Sequence, residues 1–264
     1  MTDWLAITAG QAPLIVSVPH AGTVIPADIT GLRSHDLARR DADHHVDRLY
    51  AFAADLGATI VHSRVSRTVI DLNRDPSGKS LYPGQATTGL CPVTTFDGEP
   101  LYTVGAEPGA EEIERRRAAY FDPYHAALTA QIARLRALHP AIVLYDAHSI
   151  RSHVPRLFDG ELPQFNIGSY DGASCDSALT SAIAADCAEG SHVVNGRFKG
   201  GWITRHYGDP ARGIHAVQME LAIRGYADEV GPWPPPWDAD HAAPLQTKLR
   251  AILNTCLDFA KDQQ

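Results

Sequence analysis

Ala141-Ile142-Val143-Leu144-Tyr145-Asp146-Ala147-His148-Ser149 begins as an unbroken apolar run and then turns polar. The run follows Pro140 and reads as a buried strand. If the extended conformation persists past Tyr145, the two-residue period of a strand puts Asp146 and His148 on the same side. Sites in open parallel sheets form just beyond the carboxyl ends of the strands. This strand end is therefore where chemistry is expected.

Working outward, a charged helix is expected from Ala110 to Leu138, disturbed at Pro123. Upstream lie three further strand-like runs, Pro13–Val18 (closed by Pro19), Thr59–His62 and Thr68–Leu72. Between the first two, Val46, Leu49, Tyr50, Ala53 and Leu56 recur at helical spacing. They predict a helix over Asp43–Leu56 with Gly57 at its C-terminal cap. Asp75–Gly109 is dense in Gly, Pro and Thr, and a loop of that length in a compact domain is more often functional than idle. Downstream come strands near Phe165–Gly168, His192–Val194 and His215–Leu221, with a helix around Ser177–Ala188. A Gly200-Gly201 turn precedes the last strand. A rigid break at Pro232–Pro236 precedes a final helix over His241–Lys261. Strands alternating with helices imply a mostly parallel mixed sheet covered on both faces, an α/β three-layer αβα sandwich. With no repeat, low-complexity tract or linker, residues 1–264 are expected to form one domain.

The formal charge of −8 argues against nucleic acid as a partner, because phosphate binding needs a basic surface. No apolar run reaches the ~20 residues of a membrane span, and Met1-Thr2-Asp3-Trp4 does not start a secretory signal. Cys91, Cys175, Cys187 and Cys256 are widely spaced without a Cys-x-x-Cys pair. They read as reduced structural thiols of a cytoplasmic protein. Oligomeric state is not readable. Gly-x-Ser-x-Gly, phosphate-loop, dinucleotide-loop and His-Glu-x-x-His motifs are all absent, which disfavours serine hydrolases, nucleotide enzymes and thermolysin-like proteases.

Thirteen histidines, several beside carboxylates, point toward metal chemistry. His20 sits just past the first strand in Pro19-His20-Ala21-Gly22, where it presents a ring nitrogen to a cleft or else caps the next helix. His148 offers a second ligand, and catalytic zinc takes three protein ligands plus water. The carboxylate ligand is sought in Asp41-Ala42-Asp43-His44-His45-Val46-Asp47, at a helix start. Asp43 is favoured over Asp47, whose neighbour Arg48 suggests a solvated face, and His44 and His45 are further donors in the cluster. In Ile214–Leu221 the residues Gln218 and Glu220 share one face and His215 points to the other. A carboxylate in an apolar strand is costly to bury, gains a raised pKa, and suits a general base. The alternative is an exposed Glu on an edge strand. Arg67 and Arg74 bracket the Thr68–Leu72 run, and Arg151, Arg197 and Arg205 fall in other post-strand loops. In an acidic protein they suggest a positive pocket, since arginine binds carboxylates bidentately. Surface ion pairs would explain each one separately.

Longer strings carry more information. Ser17-Val18-Pro19-His20-Ala21-Gly22, Asp43-His44-His45-Val46-Asp47-Arg48-Leu49-Tyr50 and Val69-Ile70-Asp71-Leu72-Asn73-Arg74 come first. Leu81-Tyr82-Pro83-Gly84-Gln85, Thr88-Gly89-Leu90-Cys91-Pro92 and Asp146-Ala147-His148-Ser149-Ile150-Arg151-Ser152 follow. Asn195-Gly196-Arg197-Phe198-Lys199-Gly200-Gly201 and Ile203-Thr204-Arg205-His206-Tyr207-Gly208 complete the series. In this order, from Pro13 to about Glu229, they resemble the N-formylglutamate amidohydrolase (N-formylglutamate deformylase) family of histidine degradation. That family is distantly similar to zinc carboxypeptidases and aspartoacylase, which share the three-layer αβα fold.

The resemblance implies one divalent metal, zinc, with His20 and His148 as ligands. Arg67 would polarise the scissile carbonyl, Glu220 would be the catalytic base, and Asn73-Arg74 would grip a substrate carboxylate. The distant relatives carry a compact His-x-x-Glu, but the residue three after His20 is Thr23, so Asp43 is inferred as the third ligand. Arg151 or Arg205 would hold the substrate's second carboxylate, and Gln218 joins the substrate-binding candidates. The implied partner is a small acidic molecule, N-formyl-L-glutamate, cleaved at its amide to L-glutamate and formate.

Overall fold

The computed structural model describes residues 3–263. Strands β1 Leu5–Thr8, β2 Leu14–Val18, β3 Thr59–Ser63, β4 Ile142–Ile150, β5 Phe165–Gly168, β6 His192–Val194 and β7 Ile214–Ala222 form one seven-stranded sheet, in the order β1-β3-β2-β4-β7-β5-β6. The central four, β3, β2, β4 and β7, run parallel. β1 is antiparallel to β3 and β5 to β7, while β6 follows β5 in parallel. The expected mixed, mostly parallel sheet is present.

Alternation along the central strands divides the core into two layers. Leu14, Val16, Val143, Tyr145 and Val217 pack with Leu179 and Ile183 of helix α5 (Ser177–Asp186) and with Leu249, Ile252 and Leu253 of helix α7 (Ala239–Asp262). Ile15, Ile142, Leu144 and Ala216 face the other way, onto Tyr124, Leu128, Ile132 and Leu135 of helix α4 (Asp122–Arg136). Both layers are dry because every residue of β2 and β4 is buried. At roughly 1.5–3 kcal/mol per buried aliphatic side chain, this sandwich is the main source of stability. On the α4 side the apolar row of β4 continues into Asp146 and His148, and that of β7 into Gln218 and Glu220. One face of two central strands thus turns from apolar to polar at its carboxyl end.

The sequence expectations fail at identifiable places. Thr68–Leu72 is not a strand: it begins in a turn closed by Val69 N–H to Ser66 O at 2.9 Å. Its side chains are all buried, with Val69, Ile70 and Leu72 in the α4-side core, so apolar content imitated a strand. The helix expected over Asp43–Leu56 is shorter and broken, into α2 (Val46–Leu49) and a 3-10 segment Ala51–Leu56. His45, at φ 65°, turns the chain before α2, so Asp43 precedes the helix instead of starting it. Gly57 does cap this region, at φ 72°. The helix expected over Ala110–Leu138 divides at a π-helical turn, Arg117–Phe121, between α3 (Ala110–Arg116) and α4, just before Pro123. Short α1 (His35–Arg39), α6 (Trp202–Tyr207) and edge strand β1 are further elements. The four cysteines are free and buried, and no helix among the described residues is long and apolar enough to cross a membrane.

Candidate active site

His20 lies two residues beyond β2, His148 near the end of β4, and Asp43 in the turn that precedes α2. The Asp43 N–H donates to His20 O at 3.0 Å, which ties this turn to the end of β2. One nitrogen from each histidine and one Asp43 oxygen lie within 4.8 Å of one another, and all three residues are buried. Asp43 Oδ2 is 3.0 Å from His148 Nδ1 and 3.9 Å from His20 Nδ1. Asp47 is exposed on α2, His45 Nε2 bonds Pro235 O at 2.8 Å, and the His44 ring packs against Trp233.

The donor set fits a divalent cation. His20 Nε2 is held at 2.8 Å by Asp71 Oδ1, and His148 Nε2 at 2.9 Å by Asp146 Oδ2. For His20 the carboxylate on the far nitrogen fixes that nitrogen as the N–H tautomer and leaves Nδ1 with its lone pair pointing inward. His148 instead has a carboxylate on each ring nitrogen, and against the effect of burial Asp146 and Asp43 push its pKa well above the usual value. His20 Nδ1 is a buried nitrogen with no hydrogen-bond partner among the described residues. Burial, with the Arg67 charge, pushes the His20 pKa down and keeps the ring neutral, as ligation requires. These features make the group a possible metal site.

Arg67 donates to Asp43 Oδ1 at 3.1 Å and to Asp71 Oδ2 at 2.7 Å, and it lies 4.9 Å from the Phe96 ring centroid. It therefore joins two of the three carboxylates that contact the histidines. Glu220 is the cross-strand neighbour of His148, and its carboxylate accepts from Gln218 Nε2 at 3.1 Å. Burial raises its pKa to about 7. Because β7 lies between β4 and β5, Glu220 is buried on a central strand. Arg67, Asn73, Arg74, Gln218 and Glu220 line one pocket with His20 and His148.

The other expected binding residues sit differently. Asn73 is buried, and its amide is engaged internally. Its Oδ1 accepts the Ile203 N–H at 2.7 Å, and its Nδ2 donates to Asp146 Oδ2 at 2.9 Å. Gly201 lies so close that a Cβ there would fall 2.4 Å from the Asn73 amide, which leaves no room for a side chain. Arg151 is taken up by Asp97 at 2.9 Å and Asp41 at 3.3 Å, and it does not line the pocket. Arg205 donates to the carbonyls of Gly200 and Leu81 between the Tyr82 and Tyr170 rings, and it too is outside the lining. Arg197 is in the lining instead. Asp71 and Asp146, which orient the histidines, were outside the expected site. The Asp-x-His spacing of β4 was a usable signal for Asp146. The signal for Asp71 was its place between Arg67 and Arg74, masked by the strand-like run.

Known proteins match this chain throughout. A family model described as N-formylglutamate amidohydrolase covers residues 12–227. N-formylglutamate deformylases of Pseudomonas aeruginosa and Pseudomonas putida are 48% and 47% identical to it, over all of this chain and 99% of each relative. Among solved structures, N-formylglutamate amidohydrolase of Ralstonia eutropha superposes with a TM-score of 0.82 at 23% identity, covering 99% of both chains. A protein of Agrobacterium tumefaciens superposes at 0.73 and 21% identity, over 98% of this chain and 96% of its own. By the extent of these matches the chain belongs to the N-formylglutamate amidohydrolase family.

Proposed function

We propose that this protein hydrolyses the amide of N-formyl-L-glutamate to formate and L-glutamate, using one zinc ion held by His20, Asp43 and His148. The observation that carries the reading is the convergence of those three donors, with His20 and His148 lining an arginine-bearing pocket together with Glu220. Full-length similarity to named deformylases supports the substrate.

When bound, zinc lowers the pKa of water toward ~7 and polarises a carbonyl oxygen. Glu220 takes the proton of the attacking water as its oxygen adds to the formyl carbon. It returns that proton to the glutamate nitrogen as the C–N bond breaks. A pKa raised to about 7 suits both halves of this transfer near neutral pH. Arg67 keeps its charge through the pH range, because the Asp71 and Asp43 carboxylates outweigh the cost of its burial. Its guanidinium carries five N–H donors, and those not spent on Asp43 and Asp71 are available to the developing oxyanion. Arg74 holds one substrate carboxylate in a bidentate grip. Asn73 keeps Asp146, and through it His148, in place.

The test is formate release from N-formyl-L-glutamate by the metallated enzyme, with N-acetyl-L-glutamate in parallel, before and after chelation. Release that chelation abolishes and zinc restores is expected. No release from fully metallated protein would refute the substrate. Asp43→Ala should lose bound metal, measured as stoichiometry, while Asp47→Ala keeps it. The reverse would move the carboxylate ligand to α2.

A further inference from the structure

We propose that Arg197 is the receptor for the second, side-chain carboxylate of the substrate, and so the residue that restricts the pocket to N-acylated dicarboxylic amino acids. The inference rests on the function proposed above and concerns the same pocket. Three arginines line that pocket, Arg67, Arg74 and Arg197. Arg67 is bonded to Asp43 and Asp71, and Arg74 lies 3.6 Å from Asp71 Oδ2. No Asp or Glu among the described residues pairs with Arg197.

What holds Arg197 is neutral. Its Nε donates to Leu157 O at 2.8 Å and its Nη2 to Ala86 O at 2.9 Å. The guanidinium carbon lies 5.2 Å from the Tyr82 ring centroid and 5.4 Å from that of Phe198. Two carbonyls and two aromatic rings fix the group without pairing it directly to a carboxylate. Nη1 has no acceptor among the described residues. Burial first, and then the neighbouring Arg74 charge, push its pKa down, and they outweigh the opposing effects of Tyr82 and of the Glu220 carboxylate across the pocket. A half-buried guanidinium kept beside another arginine without a counter-ion costs stability, and an arriving carboxylate removes that cost. Arginine suits the task because its planar fork binds a carboxylate through two parallel hydrogen bonds.

Arg74 and Arg197 together then match the two carboxylates of a glutamate derivative. A neutral N-formyl amino acid would leave Arg197 unpaired in the closed complex, which is how a pocket rejects a substrate lacking one polar group. Tyr82 and Ala86 belong to the long loop between Asp75 and Gly109, so that loop both lines the pocket and sets the receptor.

The experiment compares wild type, Arg197→Gln and Arg197→Lys. Formate release is measured from N-formyl-L-glutamate and N-formyl-L-glutamine, and calorimetric titrations are run with glutarate and butyrate. The Gln variant should lose about 10–100-fold in kcat/KM for N-formyl-L-glutamate, mostly through KM. Its loss on N-formyl-L-glutamine should be at least tenfold smaller, so the preference collapses. Lys should rescue partly, and glutarate should lose its advantage over butyrate in the Gln variant. Equal losses on both substrates, or an unchanged glutarate advantage, would overturn the proposal, as would wild type binding the two acids alike. If wild type releases no formate but Arg197→Gln still abolishes glutarate selectivity, the receptor stands and the assigned substrate falls.

Discussion

The pocket is built from two kinds of backbone. On one side β4 and β7 carry His148 and Glu220 on adjacent rungs of the central sheet, each fixed by ladder hydrogen bonds and by a packed helix behind. On the other, the stretch from Ser66 to Leu90 carries Arg67, Asp71, Asn73 and Arg74 with no strand or helix of its own. Its order comes from side chains. Asp71 alone accepts from His20, Arg67 and the Asn73 N–H, at 2.8, 2.7 and 2.9 Å. A strand positions a residue whatever its neighbour's chemistry, whereas here each polar group is held by the next. The strand side should therefore tolerate isosteric changes locally, and the irregular side should transmit them.

The sharpest form of that contrast is Glu220→Gln. The substitution keeps size and the contact with Gln218 Nε2, and β7 holds the backbone, so metal content and substrate affinity should stay near wild type. Loss of the proton acceptor should lower kcat by about 10²–10⁴-fold. Single-turnover rate and metal stoichiometry on one preparation decide it. A variant that loses metal along with activity would make Glu220 a ligand and break the picture of local failure on the strand side.

A smaller effect compares the two orienting carboxylates. Asp146→Asn, on β4, and Asp71→Asn, on the irregular stretch, each weaken the grip on one histidine Nε2. Each should lower metal affinity about 10–100-fold, the usual effect of removing such a partner. Asp71→Asn should cost more in kcat at saturating metal, because it also removes one of the two carboxylates that hold Arg67 and weakens the acceptor of the Asn73 N–H, while Asp146→Asn leaves Arg67 tied to both Asp43 and Asp71. Metal affinity by competition with a chelator, then kcat with excess zinc, separates the two. Equal kcat values would show that the irregular stretch transmits nothing beyond His20.

The same division explains what the chain reveals before it folds. The strand ends at His20, His148 and Glu220 are readable, because apolar runs followed by a polar residue on a fixed period need only local spacing. The sheet's mixed, mostly parallel character follows for the same reason. The turn conformation of Thr68–Leu72 is not readable, because burial on every side by distant residues gives an apolar run no different from a strand. The chain favours Asp43 over Asp47 only through the charged neighbour Arg48, and the contacts that set Asp43 apart lie 105 residues away along the chain at His148 and 24 at Arg67. The roles of arginines are least legible of all. Arg151, Arg197 and Arg205 look alike as loop cations; Asp97 and Asp41 take up Arg151, carbonyls and aromatic rings hold both Arg197 and Arg205, and of the three Arg197 lines the pocket.

The smallest expected effect concerns how the irregular stretch is fastened. His125, on α4, places Nε2 2.9 Å from Leu72 O and Nδ1 2.9 Å from the Tyr207 hydroxyl of α6. It thus pins the stretch between two helices. Burial holds its pKa down to about 4; the Leu72 carbonyl opposes this and the His206 charge adds to it. A folded pKa below the usual ~6.5 means that the unfolded chain takes up this proton first as pH falls. Stability from His125 is therefore fully present above about pH 6.5 and is lost progressively down to about pH 4, below which both states are protonated. The loss should be at most ~3 kcal/mol over that window. His125→Gln can still donate to Leu72 O but has no proton to take up. Urea midpoints at pH 7 and pH 4.5 should thus fall further for wild type than for the variant, with the other histidines cancelling in the comparison. Parallel declines would mean that His125 is already protonated when folded, and that something other than a neutral imidazole fastens the stretch to the helices.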